Sequence, residues 1–573
     1  MLASLTPLLL FALSAGPLQF SGSASMYSEY GWVNGDTLVE PRPELRFNIN
    51  PSLSLFGFPI GMNMLVSTQE NPLKQQLDKF KLFLNPRRWL ESQTNLSGLA
   101  LSFKTLELGS CNPSWTPYTL AGAPVFGGAV ELNPGQVFLA AAGGRNQRRV
   151  DVTDSSQGAY ARMLYSGRFG FGRKEKAHFF LTGLYAVDDT TSPKGNRIPN
   201  PNDPDDTINV VRPQENYVVG AEFVADANDG QARLETEISG CEVTPDARVP
   251  TLGSFADIGL EAVDPYLGWT IPYLHPRLNS SFDFAWKVRP IVNWYGTKMF
   301  AKVEMVGPGY KSLGAPGLRN DNFAYGVGIS GSYFDNAVSV SGSYEKEHDN
   351  LLRTRVTDDV GRLVRVLTLK SATSQFTRWQ TSLNLALPNL PYIQVSYCPY
   401  TQANDSLDSI AEVVSTKTSV GRNVSASAGH SFQTGKVSHS PSVSVSFDDL
   451  RGAEFGGNYT SWDANVNYGL GFESPFSISA GCGYGRTTPD SGDVDSRLSI
   501  DLTPSYTLFE KWTHSLSLGG TFDAARRIDV RYSTSFPVWK ICDGNVGISD
   551  GIYKGDDGSY NDVRLTAELS KSW

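Results

Sequence analysis

Several features are scarce in this 573-residue chain, and each scarcity removes a class of protein. No stretch approaches the ~20 consecutive apolar residues of a membrane helix, since the run Leu8-Leu9-Leu10-Phe11-Ala12-Leu13 ends almost at once. A helical membrane protein is therefore excluded. Charged residues make up 19% and the net charge is −9, without the basic face that a nucleic-acid partner requires. Cysteine (5) and histidine (6) are few, and neither has metal-ligand spacing; the chain contains no His-Glu-x-x-His. No linker or low-complexity tract divides the chain, although its length alone would imply several domains.

What is abundant is glycine (55), tyrosine (24) and aromatic residues in general (11%), too many for a disordered chain. They sit in two-residue alternation. Met163-Leu164-Tyr165-Ser166-Gly167-Arg168-Phe169 and Phe179-Phe180-Leu181-Thr182-Gly183-Leu184-Tyr185 flank the polar Arg173-Lys174-Glu175-Lys176, which reads as a hairpin. A second pairs Tyr217, Val219, Ala221 and Phe223 with Leu234, Thr236 and Ile238 across Asn228-Asp229-Gly230, a strong hairpin-turn signal. Further turns fall at 133–136, 334–336, 389–391, 473–475 and 509–512. Between hairpins the polar connections are longer: 189–215, 242–279, 307–321, 347–374 and 399–420. Aromatics flank the short turns, namely Phe138, Phe171, Phe179, Phe472, Phe476, Phe509, Trp512 and Trp539, as an interfacial girdle requires.

The two ends point the same way. Leu8–Leu13 followed by Ser14-Ala15-Gly16 fits an export signal over 1–15, cut after Ala15, although no Lys or Arg precedes it. Residues 16–573 then form one domain, with no plug domain ahead of the first strand. At the other end Leu565, Ala567 and Leu569 alternate with polar residues, and the chain closes on Trp573. This ending, together with the rhythm of short turn and long loop, resembles the large outer-membrane β-barrel proteins of Gram-negative bacteria. Lys571 departs from the apolar residue usual at that place. The resemblance implies an all-β, transmembrane, antiparallel up-and-down barrel of roughly 24–26 strands with short periplasmic turns and long extracellular loops. It implies an outer-membrane location, contact with outer-membrane lipid, and insertion by the barrel assembly machinery, which would read Leu565, Ala567, Leu569 and Trp573. The segment Gly109-Ser110-Cys111-Asn112-Pro113-Ser114-Trp115-Thr116-Pro117-Tyr118-Thr119-Leu120-Ala121-Gly122 looks like a signature, but of no family that can be named.

In such a barrel the polar set of each strand faces the lumen. The candidate pore-lining residues are Arg162, Arg168, Arg233, Glu235, Glu237, Lys287, Arg289, Lys298, Lys302 and Glu304, joined by acids such as Glu222 and Asp226. Acids and bases are about equal in number, so pairing across strands is expected rather than a strong ion preference. Cys111, Cys241 and Cys398 lie near outer strand ends, where one bridge is conceivable, and Cys482 falls on the apolar face. No catalytic residue, metal site or cofactor is expected. His348-Asp349 is the sole hint of a barrel hydrolase, and the acidic stretches 200–206 and 556–562 are read as solvated loops rather than calcium sites.

About 26 strands at ~4.8 Å spacing and ~40° tilt enclose a diameter of roughly 50 Å. A hole of that width has to be closed, either by the chain's own loops (189–215, 242–279 and 347–374 are the candidates) or by a plug or periplasmic partner protein. The expectation is a passive, loop-restricted pore for solutes. The alternatives are a permanently closed barrel that docks a partner, or a barrel hydrolase.

Overall fold

The computed structural model describes residues 19–572 apart from 35–43, 56–57, 69–78, 85–102, 153–157, 201–202, 259–260, 262–263, 352–371, 409–412, 453–456, 524–525, 539–541, 556–557 and positions 192, 196, 229 and 510. The expected export segment 1–15 and Trp573 lie outside these residues.

The strands follow one another along the chain. The first nine are β1 (Gln19–Asn34), β2 (Glu44–Leu55), β3 (Phe58–Ser67), β4 (Lys79–Leu84), β5 (Phe103–Cys111), β6 (Val125–Leu132), β7 (Val137–Gln147), β8 (Arg162–Gly172) and β9 (His178–Asp188). A small separate hairpin, β10 (Arg197–Asn200) and β11 (Asp203–Asn209), sits within the next connection. Then come β12 (Glu215–Ala227), β13 (Ala232–Thr244), β14 (Ser281–Trp294), β15 (Thr297–Val306), β16 (Asn322–Tyr333), β17 (Val338–His348), β18 (Ala372–Leu385), β19 (Tyr392–Asp408) and β20 (Val413–Gly429). The last group is β21 (Phe432–Thr434), β22 (Val437–Arg451), β23 (Tyr459–Phe472), β24 (Phe476–Pro489), β25 (Asp495–Leu508), β26 (Trp512–Phe522), β27 (Arg526–Val538), β28 (Cys542–Gly555) and β29 (Gly558–Ser572).

Each strand of the main sheet pairs antiparallel with its chain neighbours, and β9 skips the small hairpin to pair with β12. β21 continues β20 along the same partner β22, so the sheet makes 26 crossings. β1 pairs with β29 from Ser23↔Ser572 to Asn34↔Asn561, which closes the cylinder and leaves no edge. The fold is thus a closed antiparallel up-and-down barrel.

Through most of the described wall one face of each strand is apolar and exposed and the other mainly polar. On β8 Met163, Tyr165, Phe169 and Phe171 are exposed while Leu164, Ser166 and Arg168 are buried. Val219, Ile238, Val327, Val466, Ile500 and Ile548 continue the exposed apolar belt around the circumference. The final strand obeys the rule, with Leu565 and Leu569 exposed beside Tyr30 and Met26 of β1 across the closing seam.

Two expectations need correction here. Phe138 does not join an outer girdle; it is fully buried on the inward face and stacks on Phe180 at 4.5 Å. A turn-flanking position fixes a residue's height in the wall, and only strand parity fixes its side. Trp539 lies outside the described residues. Secondly, 399–420 is not a long loop, because β19 runs to Asp408 and β20 starts at Val413. These 17-residue strands exceed the ~9–11 that cross hydrocarbon. Above the lipid both faces meet water, so the alternation that marks a strand disappears there.

At the short-turn end, Tyr295, Phe334 and Phe509 adopt left-handed backbone (φ 45°, 55° and 51°), and each is highly exposed. Tyr295-Gly296 has positive φ at both positions, as in a type I′ hairpin.

Candidate lumen constriction

Two long connections fold inward instead of out into solvent. The first, residues 112–124, joins β5 to β6. Pro113 and Pro117 cannot donate to a sheet ladder, and the segment turns on itself instead. Ser114 bridges Ala121, the Trp115 amide donates to the Leu120 carbonyl (2.7 Å), and the Gly122 amide donates to the Pro113 carbonyl (3.1 Å). Tyr118, Thr119, Leu120 and Ala123 are buried. The second connection, residues 307–321, joins β15 to β16 and packs over β9, β12 and β13.

The two segments hold one another. Tyr310 Oη donates to the Tyr118 carbonyl (3.0 Å), Ser312 Oγ to the Thr119 carbonyl (2.5 Å), and the Ala121 amide to the Gly314 carbonyl (2.9 Å). Burial lifts the Tyr310 phenol above its ordinary range and so keeps it a donor. Gly314 sits where a Cβ would come within 2.3 Å of Leu184 Cδ1 and 2.7 Å of the Thr119 carbonyl oxygen, so only glycine fits. Contacts among such distant parts of the wall require the segments to cross the interior, and they identify the polar face of the strands as the lumen face.

Wall residues fix both segments. Asn216 of β12, fully buried, donates through Nδ2 to the Glu242 (2.8 Å) and Lys311 (3.0 Å) carbonyls and accepts from the Leu313 amide (2.9 Å). Arg168 of β8 donates from Nη1 to the Trp115 carbonyl (3.1 Å) and from Nη2 to Glu222 of β12. Its guanidinium lies over the Phe180 ring at 4.6 Å, and His178 stacks on the other side of the same cluster, 4.1 Å from Phe180. Trp115, Tyr118, Leu120, Phe138, Leu164, Phe180, Leu184 and Tyr310 belong to one apolar cluster.

All ten pore-lining candidates sit on the inward face, and most are paired. Arg162 holds Asp188 with both prongs (2.7 and 3.0 Å). Arg233 meets Glu235 at 2.9 Å and Asp226 at 3.6 Å, Lys287 meets Glu237 at 3.5 Å, and Arg289 meets Glu235 at 3.8 Å. Lys302 bridges Glu304 and Glu345, both at 3.0 Å. Lys298 is exposed near the short-turn end. The structure brings Arg168, Arg233, Glu235, Glu237 and Lys287 together beneath Trp115, around a cavity of about 200 Å³. Arg162 belongs to a separate cavity of about 870 Å³ on the long-connection side, with Tyr160, Arg212, Lys311 and Leu313. Sequence reading passed over Asn216, Tyr310, Ser312, His178 and Trp115. The Trp115 segment did stand out as a signature, but nothing in its composition states that it turns inward.

Away from these segments the lumen face mixes small hydroxylic residues with charge pairs such as Arg497 with Asp463 at 3.5 Å and Arg527 with Asp529 at 2.6 Å. On β22 it carries Ser438, Ser440, Ser442, Ser444 and Ser446, and cross-strand pairs include Ser396 with Ser425 at 2.6 Å and Ser341 with Ser382 at 2.7 Å.

Described parts of 189–215 and 242–279 reach only the rim of the larger cavity, through Val211, Arg212, Gln214 and Pro245, and 352–371 lies outside the described residues. An unpatterned loop gives no signal for the direction in which it folds. Nor does the conceivable disulfide form. All five cysteines are free, and Cys241 Sγ instead accepts the Lys311 amide at 3.4 Å. His348 lies beside Phe323 (5.4 Å), while Asp349 Oδ1 accepts the Ser374 amide (2.6 Å). Among the described residues no group of three metal-ligating side chains converges, and Asp562 is engaged by Arg564 at 2.7 Å.

A closed 26-strand antiparallel cylinder, apolar outside and polar within, defines a large porin-like barrel of the outer-membrane type. No known protein family matches the chain, and neither does any curated protein. Among solved structures it is similar to the P pilus usher (PapC) translocation pore, at 11% identity and a TM-score of 0.36, covering 97% of this chain and 99% of that one. It is also similar to the outer membrane protein OpdK of Pseudomonas aeruginosa (8% identity, TM-score 0.29, 64% of this chain and 95% of that). A BenF-like porin from Pseudomonas fluorescens gives 9% identity and a TM-score of 0.29 over 72% of this chain and 98% of that. At these scores the likeness adds nothing to the strand ladder, which defines the architecture by itself.

Proposed function

We propose that the protein is an integral outer-membrane channel that lets solutes pass passively through a lumen narrowed by residues 112–124 and 307–321. The observation that carries this reading is the clasp between those segments, inside a wall whose outer face is apolar and whose inner face is polar. An apolar belt of this kind is stable only against lipid, and a hydrated, charge-paired inner wall has little use unless water occupies it. The clasp covers the sector from β7 to β15, and the wall opposite, hydroxylic and charge-paired, borders the remaining space. Leu565, Ala567 and Leu569 would serve as the strand that the assembly machinery reads, and a plug or periplasmic partner would be needed only if the clasp leaves the lumen too wide.

The test is single-channel recording in planar bilayers, comparing the intact chain with one in which Pro113–Ala121 is replaced by a short Gly-Ser linker. Folding is checked by heat-modifiable migration. Discrete steps that grow in the linker variant support the reading, whereas silence from both folded proteins overturns it in favour of a closed, partner-docking barrel.

A further inference from the structure

The 200 Å³ cavity beneath Trp115 contains polar atoms left without partners. Arg168 Nε and Glu237 Oε1 are buried and make no hydrogen bond, in residues only 3% and 4% exposed. Such groups are costly unless something satisfies them, and their demands are opposite in kind. Arg168 Nε can only donate and Glu237 can accept. His178 Nδ1 lies 2.7 Å from the Lys176 carbonyl and 3.2 Å from that of Arg173, so it carries a hydrogen, and Nε2 lies 3.4 Å from Glu222 Oε2.

Charge around the cavity is balanced in pairs: Arg168 with Glu222, Arg233 with Glu235, Lys287 with Glu237, and Lys174 with Glu131 just outside the lining. A simple anion there meets three carboxylates, and a simple cation meets four cationic groups. A solute bearing both charges on adjacent atoms meets neither penalty. The volume equals on the order of six to seven waters at ~30 Å³ each, enough for a compact molecule. The Glu222, Arg233 and Lys287 side chains are partly exposed, which opens the cavity to the lumen.

We infer that this cavity is a binding site for small zwitterionic solutes of amino-acid size, the carboxylate directed to Arg168 and the ammonium to Glu237. Binding can be read in detergent, independently of conductance, so failure of one reading leaves the other standing. The experiment is isothermal titration of the full-length detergent-solubilised barrel with glycine, acetate and methylammonium. Glycine should bind at least tenfold more tightly than either single-charge probe. Glu237→Gln, and separately Arg168→Lys, should weaken glycine tenfold or more in protein that still migrates as a folded barrel. No binding of any probe (a cavity holding water only), equal binding of all three, or glycine binding unchanged in folded Glu237→Gln would overturn the assignment.

Discussion

Arg168 shows how much a single inward position can carry. Its guanidinium is shared by Glu222, the Trp115 carbonyl and the Phe180 face, so it ties the inward hairpin to the wall. Arg168→Ala takes the guanidinium away from Glu222, which is partly exposed and 3.4 Å from His178, an effect on the order of 2 kcal/mol. The expected result is a lower urea midpoint for refolded protein in detergent, with Arg168→Lys recovering part of the loss because one prong cannot serve both acceptors. An unchanged midpoint in Arg168→Ala would mean that the contact contributes nothing. Tyr310→Phe removes a single buried hydrogen bond and should cost about 1 kcal/mol. Gly314→Val, by contrast, drives a side chain into Leu184 and the Thr119 carbonyl and should part the two segments. Protease cleavage within 112–124 would then rise in Gly314→Val far more than in Tyr310→Phe.

Individual elements differ in how much of them the sequence disclosed. The alternation in β8, β9, β12 and β13 marks both the strand and its wet face, because one side chain in two must meet lipid. Arg162, Arg233 and Lys287 could therefore be placed inside without coordinates. What alternation cannot convey is coverage. Arg168 reads as a lumen cation, yet it is buried by Trp115, 53 residues away along the chain. The inward course of 112–124 and 307–321 arises from hydrogen bonds between two remote connections, a relation with no local signature beyond the prolines and Gly314.

The connection after β13 offers a test by acidity. Arg248 holds the Asp246 carboxyl below the usual carboxylate range, and the Arg248 amide adds to the effect. A depressed carboxylate contributes its full stability above the ordinary value, and that contribution is lost as pH falls through the depressed one. Protection of the 246–249 amides, with the intrinsic pH dependence of exchange divided out, should accordingly be high and flat at neutral pH and fall as pH drops below about 4. Asp246→Asn should show the low protection even at neutral pH, and a variant as protected as the parent would show that the pair does not order the segment.

For the whole molecule, the central division is between a wall that touches lipid and a wall that touches water. Adjacent residues of β23 probe it without moving along the barrel: Val466 is exposed in the apolar belt, while Asn465 faces inward opposite Ser444. A lysine on the lipid face near mid-membrane costs roughly 2–4 kcal/mol, and one on the lumen face far less. Val466→Lys should cut the folded fraction in lipid vesicles sharply and Asn465→Lys hardly at all. Equal losses would place both positions in one environment and remove the division.

The most direct measurement is the current through one barrel in a planar bilayer, recorded for the parent and for the variant whose Pro113–Ala121 hairpin has been replaced. Discrete conductance in the parent and a larger step in the variant are the outcomes the structure predicts. Two folded proteins that both leave the bilayer electrically silent would contradict it.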